Sequence, residues 1–318
     1  MGKLIINEWV KVFRRIGTLI MIALIVLFVI GFGGLSKVLD NQNPPQENTQ
    51  WKQELEKQLL SDRSALEDIG QRNANLKMYY ERQIAIKEYQ LENDIPPQTE
   101  THMWTFVNEA QAIISFAGLF TIIIAAGIVS SEFSWGTIKL LLIRPYGRSS
   151  ILLSKYITVI LYGFFFLAIL YTLSVLVGFV LFGAPAEEVS HLAYINGEVV
   201  ERNIVVHLIS QYLLSSIDVL LVATMAFMIS TVFRNSSLAI GLSLFLLFTG
   251  STATMLLASK FEWTKYFLFA NTNLTVYFDG VPPVEGMTLS FSIMMLIIYF
   301  AFFHLLAFLL FNKRDVAA

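Results

Sequence analysis

Six apolar stretches, each at least about 20 residues long, leave this chain few ways to fold. They run approximately over Ile16–Leu35, Ala110–Ser130, Leu153–Phe182, Val206–Phe233, Leu238–Ala258 and Leu289–Phe311. Backbone amides in hydrocarbon must be satisfied within the protein, so runs of this length read as membrane-spanning helices. Composition agrees: 55% of the 318 residues are hydrophobic and 14% are charged, against roughly 25% charge in a soluble domain. The expected fold class is all-α and integral to a membrane, with six transmembrane helices. The third and fourth runs exceed the hydrocarbon thickness and should tilt or project beyond it. The first run follows Lys11, Arg14 and Arg15, as a signal peptide's would. It is too long for an h-region and no small-x-small cleavage site follows, so it reads as a retained span.

Charge placement sets the orientation. With the amino terminus inside, the cytoplasmic side carries Lys3, Lys11, Arg14, Arg15, Lys139, Arg144, Arg148, Lys155, Arg234, Lys313 and Arg314, against the acids Glu8, Glu132 and Asp315. The positive-inside rule counts short loops, where the outer side then holds only Arg202, Lys260 and Lys265. Both termini are therefore expected in the cytoplasm, at a bacterial plasma membrane. A net charge of −2 offers no basic field for nucleic acid. The absence of cysteine excludes disulfides, thiolate metal sites and thiol nucleophiles.

Three parts follow: residues 1–35, an interfacial amino-terminal helix and the first span; residues 36–109, an outer insertion; and residues 110–318, the other five spans with a cytoplasmic segment at 131–150. In the insertion, Pro44-Pro45 and Pro96-Pro97 bracket a polar stretch. Leu55, Leu59, Leu66, Ile69, Leu76, Tyr79, Tyr80, Ile84 and Ile86 recur there at broadly helical spacing, which predicts one long helix or a helical hairpin. It reads either as a solvated spacer or, with eight bases and 13 acids, as a surface for cationic peptides. No internal repeat is visible, which argues against an inverted-repeat transporter.

The segment from Glu132 to Lys155 is the richest in signals. Trp135, Ile138, Leu141 and Leu142 form a stripe at i, i+3, i+6 and i+7, with Ser134, Thr137, Lys139 and Arg144 on other faces. That pattern predicts a short helix lying in the interface and stopped by Pro145 and Gly147. Arg148 and Lys155 suit the headgroup level, in reach of anionic lipid or a protein carboxylate. The amino-terminal Ile5, Ile6, Trp9 and Phe13 also repeat at helical spacing beside basic residues.

Glu132, then Gly136-Thr137, a leucine run, Pro145, Arg148 and Lys155 resemble the loop joining the second and third helices of type 2 ATP-binding-cassette (ABC) export permeases. The amino-terminal segment looks like the interfacial helix preceding the first span in that family. Ile229 to Ser237 looks like its short cytoplasmic turn. Phe269, Asn271, Leu274, Tyr277, Gly280 and Pro282-Pro283, with Phe311 to Asp315, are similar to its carboxyl-terminal pattern. The long insertion lies outside the resemblance.

The resemblance implies a coupling helix resting on a separate ATPase, with Glu132, Trp135, Gly136, Thr137, Leu141, Arg144, Pro145 and Arg148 as coupling residues and Glu132 and Arg148 as its anchors. It implies a short re-entrant or interfacial element before the last span, where Trp263, Tyr266, Phe267 and Tyr277 read by default as an aromatic belt. The implied partners are an ABC ATPase in two copies and a second permease subunit. The only Gly-Lys pair is Gly2-Lys3, so no phosphate-cradling loop is present and the expected chain is not itself an enzyme. ATP and Mg would be bound by the partner and no cofactor by this chain.

Asp218 is the lone acid well inside a span. With His207, Gln211 and Ser215 it makes a stripe at i, i+4, i+8 and i+11, lining a pathway or subunit interface, or pinning two helices together. Glu187, Glu188, His191, His207 and His304 offer acids and bases for an intramembrane hydrolase, but no His-Glu-x-x-His pair is present. His304 reads as a helix-packing residue because no second His or Cys stands at ligand spacing, and no metal site is expected. The alternative to transport is a sensor or immunity-type membrane protein binding an outer ligand through the insertion.

Overall fold

A computed structural model of the chain describes residues 1–42, 50–70, 73–97, 101–142, 145–185, 189–195 and 197–313. It contains six helices long and apolar enough to cross a membrane: Ile16–Gln42, Met103–Ser134, Arg148–Phe182, Ile204–Phe233, Ser236–Ala258 and Leu289–Lys313. In chain order, α1 is Gly2–Phe13 and α2 is Ile16–Gln42. The insertion forms α3 (Trp51–Ile69) and α4 (Ala74–Glu92). Next, α5 (Met103–Glu109) passes through a 3-10 turn into α6 (Ile114–Ser134). The short α7 (Ile138–Leu142) precedes α8 (Arg148–Phe182). A hairpin of β1 (Ser190–Ile195) and β2 (Glu198–Asn203) leads into α9 (Ile204–Phe233) and α10 (Ser236–Ala258). Between α10 and the last helix come a 3-10 turn at Glu262–Tyr266, α11 (Leu268–Asn271) and a 3-10 turn at Leu274–Tyr277; α12 is Leu289–Lys313.

Each span is longer than hydropathy suggested, at one end or, for the second, at both. The second starts at Met103 rather than Ala110, because Asn108 and Glu109 interrupt the apolar run without interrupting the helix. At 1.5 Å per residue, the 35-residue α8 is about 52 Å long, in line with a third span that overreaches the hydrocarbon.

Helices α6 and α9 are the centre. In their apolar windows 67% and 61% of residues are buried, against 17–28% in the other four. Small residues let them approach: a Cβ on Gly118 of α6 would stand 3.3 Å from Val219 on α9, and one on Gly163 of α8 2.9 Å from Leu220. Ser230 donates across the pair to the Ala126 carbonyl at 2.5 Å, and Tyr156 of α8 shares a 2.9 Å hydrogen bond with Thr224. The outward faces of α2, α10 and α12 carry exposed Leu27, Ile30, Phe245, Phe248, Met255 and Ile297. Facing lipid they need no protein partner.

In the insertion, α3 and α4 form an antiparallel hairpin. Ion pairs cross it at Lys87–Asp62, Arg63–Glu88 (2.5 Å) and Lys52–Asp94 (2.6 Å). Asn73 caps α4 by accepting from the Leu76 amide. The β-hairpin departs from the all-α expectation. Its antiparallel register pairs Ile195 with Glu198 across a turn in which Gly197 takes φ +93°.

Candidate functional site

Two polar centres lie at opposite ends of the helical bundle. At the end away from the insertion, α1 lies against α8. Its buried face is Leu4, Glu8 and Val12, while Ile6 and Phe13 of the apolar stripe are exposed. Trp9 stacks on Tyr162 at 4.2 Å between ring centroids, and Tyr162 donates to the Trp9 carbonyl. That face carries Glu8 inward, to meet Lys155 of α8 and Glu132 of α6.

Lys155 is 1% exposed and bridges Glu8 at 2.8 Å and Glu132 at 2.9 Å. Glu132 also accepts from Lys11 of α1 and from the Thr137 hydroxyl. Two carboxylates and two ammonium groups sum to zero charge. Stripping charges of water costs several kcal/mol each unless they are paired and hydrogen-bonded, and here each carboxylate and each ammonium has a partner. Lys155, expected at headgroup level, therefore takes the protein-carboxylate alternative.

The segment after α6 differs from the short interfacial helix predicted for it. Helix α6 runs on to Ser134; Gly136, at φ +68°, then breaks it. Only Ile138–Leu142 is helical beyond the break. Trp135 therefore does not share a face with Ile138 and Leu141. It is 61% exposed, with the Arg15 guanidinium 5.3 Å from its ring centroid. Ile138 is buried and Leu141 packs on the core, while Leu140 is 66% exposed. Pro145 and Gly147 end the segment on exposed backbone before α8 starts. Arg148 donates to the Asn312 carbonyl of α12, so it ties two spans. Arg144 and the Leu142 side chain lie outside the described residues. After α9, Arg234 adopts a left-handed cap (φ +55°) with its guanidinium 4.4 Å from the Phe133 ring centroid, and Asn235 caps α10.

At the insertion end, the stripe on α9 faces the segment before α12. Gln211 donates to Asp279, and Asp218 makes a hydrogen bond with Thr272 while its Oδ1 is buried without a partner among the described residues. Ser215 is half-buried on the same helix. Asn203 caps α9 by accepting from the Val205 and Val206 amides, which sets His207 in the second turn. His207 stacks on His191 of β1 with centroids 3.5 Å apart, and His191 Nε2 stands 3.7 Å from Asp279 Oδ1.

Burial acts to raise the Asp279 pKa, yet the adjacent His191 imidazole and the charges of His207 and Arg82 hold it below the usual carboxylate range. Arg82 of α4 donates to the carbonyls of Phe278 and Gly280 (2.7 Å to Gly280), gripping the backbone on both sides of Asp279. A cavity of about 1280 Å³ opens beside this cluster, lined among others by His102, Trp104, His191, His207, Gln211 and Asp279.

The segment of Phe269, Asn271, Leu274 and Tyr277 folds as short helical turns around buried Asn271. Its side-chain amide donates to the Lys265 and Phe267 carbonyls and its oxygen accepts from Ser292 of α12, which in turn meets Tyr277. His304 packs edge-on against Tyr156, apart from His191 and His207. Glu187 and Glu188 lie outside the described residues. Sequence spacing missed the meeting of His191, His207 and Asp279. The local signal was the Asn-Gly dipeptide at 196–197 of the sequence, which favours a tight hairpin and so a strand carrying His191 beside the one that leads into α9.

Six apolar spans around a polar centre at each end define a multi-pass membrane protein. Residues 73–317 match the family described as "Protein of unknown function (DUF2705)", and the chain belongs to that family. It is 48% identical over 319 residues to "Uncharacterized protein YhcI" of Bacillus subtilis (strain 168), covering both chains fully. It is 36% identical over 199 residues to "Uncharacterized membrane protein YdbK" of the same strain, across 62% of this chain and 76% of that one.

Proposed function

We propose that the chain is the membrane-spanning permease subunit of an ABC exporter, forming the translocation path with a second permease subunit and driven by two copies of a separate ATPase. One observation carries this reading: the turn after α6 and the amino-terminal helix α1 are joined to the bundle through Glu132, Lys155, Glu8 and Lys11. A force applied to exposed Trp135 or Leu140 would pass through those ion pairs into α6, one half of the bundle centre, and into α8, which packs against it. In this reading both termini are cytoplasmic, the membrane is a bacterial plasma membrane, and α3 and α4 project outside. ATP and Mg belong to the ATPase, whose motion tilts the bundles to open a path between the two permease subunits.

The test is nucleotide hydrolysis by a candidate ABC ATPase from the same cell, reconstituted with and without this chain. The intact chain is expected to stimulate hydrolysis; Trp135→Ala with Leu140→Ala should insert normally and lose the stimulation. Unchanged stimulation would remove this segment from the coupling path, and no association with any ATPase would end the exporter reading.

The cavity beneath the insertion favours a second reading, a sensor or immunity-type protein that binds an outer ligand without moving it. Removing residues 50–92 discriminates the two: ligand response lost with efflux retained favours sensing.

A further inference from the structure

We propose that His191, His207 and Asp279 form a binding site for a zinc-class divalent cation at the insertion end of the bundle. The three come from separate elements: the β-hairpin, the second turn of α9 and the segment before α12. One potential ligand atom from each lies within 4.8 Å of the other two. Zinc bonds to imidazole nitrogen and carboxylate oxygen are about 2.0–2.2 Å, so ligand atoms around a tetrahedral ion stand roughly 3.3–3.5 Å apart. His191 Nε2 and Asp279 Oδ1 are already at 3.7 Å. The His191 and His207 rings are stacked with 17° between their planes, so binding requires one imidazole to turn out of the stack and aim its in-plane lone pair at the ion shared with the exposed carboxylate.

The surroundings support a built site. Gln211, itself 8% exposed, donates to Asp279 Oδ2, which orients the carboxylate and leaves Oδ1 toward His191. Such outer partners fix ligand geometry in metal sites. Arg82 holds the Phe278 and Gly280 carbonyls, so the backbone carrying Asp279 is positioned before any ion arrives. The adjoining cavity offers an entry path and room for a water as fourth ligand. Two imidazoles with one carboxylate and no thiolate suit zinc better than magnesium or calcium, which take oxygen ligands. A bound ion would rivet the hairpin and the segment before α12 to the start of α9. This inference does not rest on the exporter reading.

The test uses the full chain purified in detergent, titrated with zinc against a chromogenic chelator. One zinc per chain is expected. His191→Ala, His207→Ala and Asp279→Asn should each weaken binding by ~10-fold or more, the scale at which even outer-partner losses register, while His304→Ala leaves it unchanged. Should the variants fail to fold, the wild-type chain loaded with cobalt(II) decides. A ligand-field spectrum of four-coordinate nitrogen and oxygen ligation supports the site. A spectrum of hydrated cobalt, or zinc retention undiminished in folded His191→Ala/His207→Ala, overturns it.

Discussion

Lys155 shows how a single residue can unite three elements. Replacing it with methionine keeps the stem and removes the charge, leaving Glu8 and Glu132 in a buried site with Lys11 alone opposite them. Losing one partner of a buried pair costs about 3–5 kcal/mol. Lys155→Met is therefore expected to lower the thermal midpoint in detergent sharply, and a melt indistinguishable from wild type would show the network to be energetically idle. At the other end, Arg82→Ala removes two charge-assisted hydrogen bonds to the carbonyls flanking Asp279, worth about 1.5–3 kcal/mol each. Hydrogen exchange should accelerate across residues 276–286 with little change in α6. Residue identities were readable only in part. Glu132 stood out because it opens a recognisable run, but its cation sits 23 positions away and its link to α1 more than 120 away. Nothing local in a sequence specifies such distant pairings.

Elements were far more legible. A span must satisfy its backbone and face lipid wherever it lies in the fold, so six apolar runs gave six helices whatever their neighbours. Their ends depend on tertiary packing, and there the sequence reading slipped: Met103–Glu109 is helical because Phe106 and Val107 are buried, despite the polar residues that follow them. The spacing of Trp135, Ile138 and Leu141 is helical in sequence but not in the fold, because the chain turns at Gly136 between them. Close packing can be tested at this scale. A Cβ on Gly250 of α10 would meet the Phe269 ring at 2.5 Å, whereas one on Gly241 meets nothing within 4 Å. Gly250→Ala should cost about 1–3 kcal/mol by overpacking, while Gly241→Ala leaves the unfolding midpoint in place; equal behaviour of the two would mean that the α10 to α11 contact yields freely.

For the whole molecule, the lack of native cysteine makes topology directly measurable. Leu60 of α3 and Leu140 of α7 are both exposed. Single Leu60→Cys and Leu140→Cys variants in intact cells should divide: an impermeant maleimide labels the first and reaches the second only after permeabilisation. Labelling of Leu140→Cys but not of Leu60→Cys from outside would reverse the orientation and leave no surface for a cytoplasmic motor. The joining of α1 to α8 also bears on how the chain is made. Glu8 and Lys11 emerge from the ribosome well over a hundred residues before Lys155 does. Until the third span is threaded into the bilayer, the leading helix has to wait at the wet margin, where its carboxylate can stay hydrated. Synthesis therefore closes this end of the molecule late, with a lysine acting as the latch.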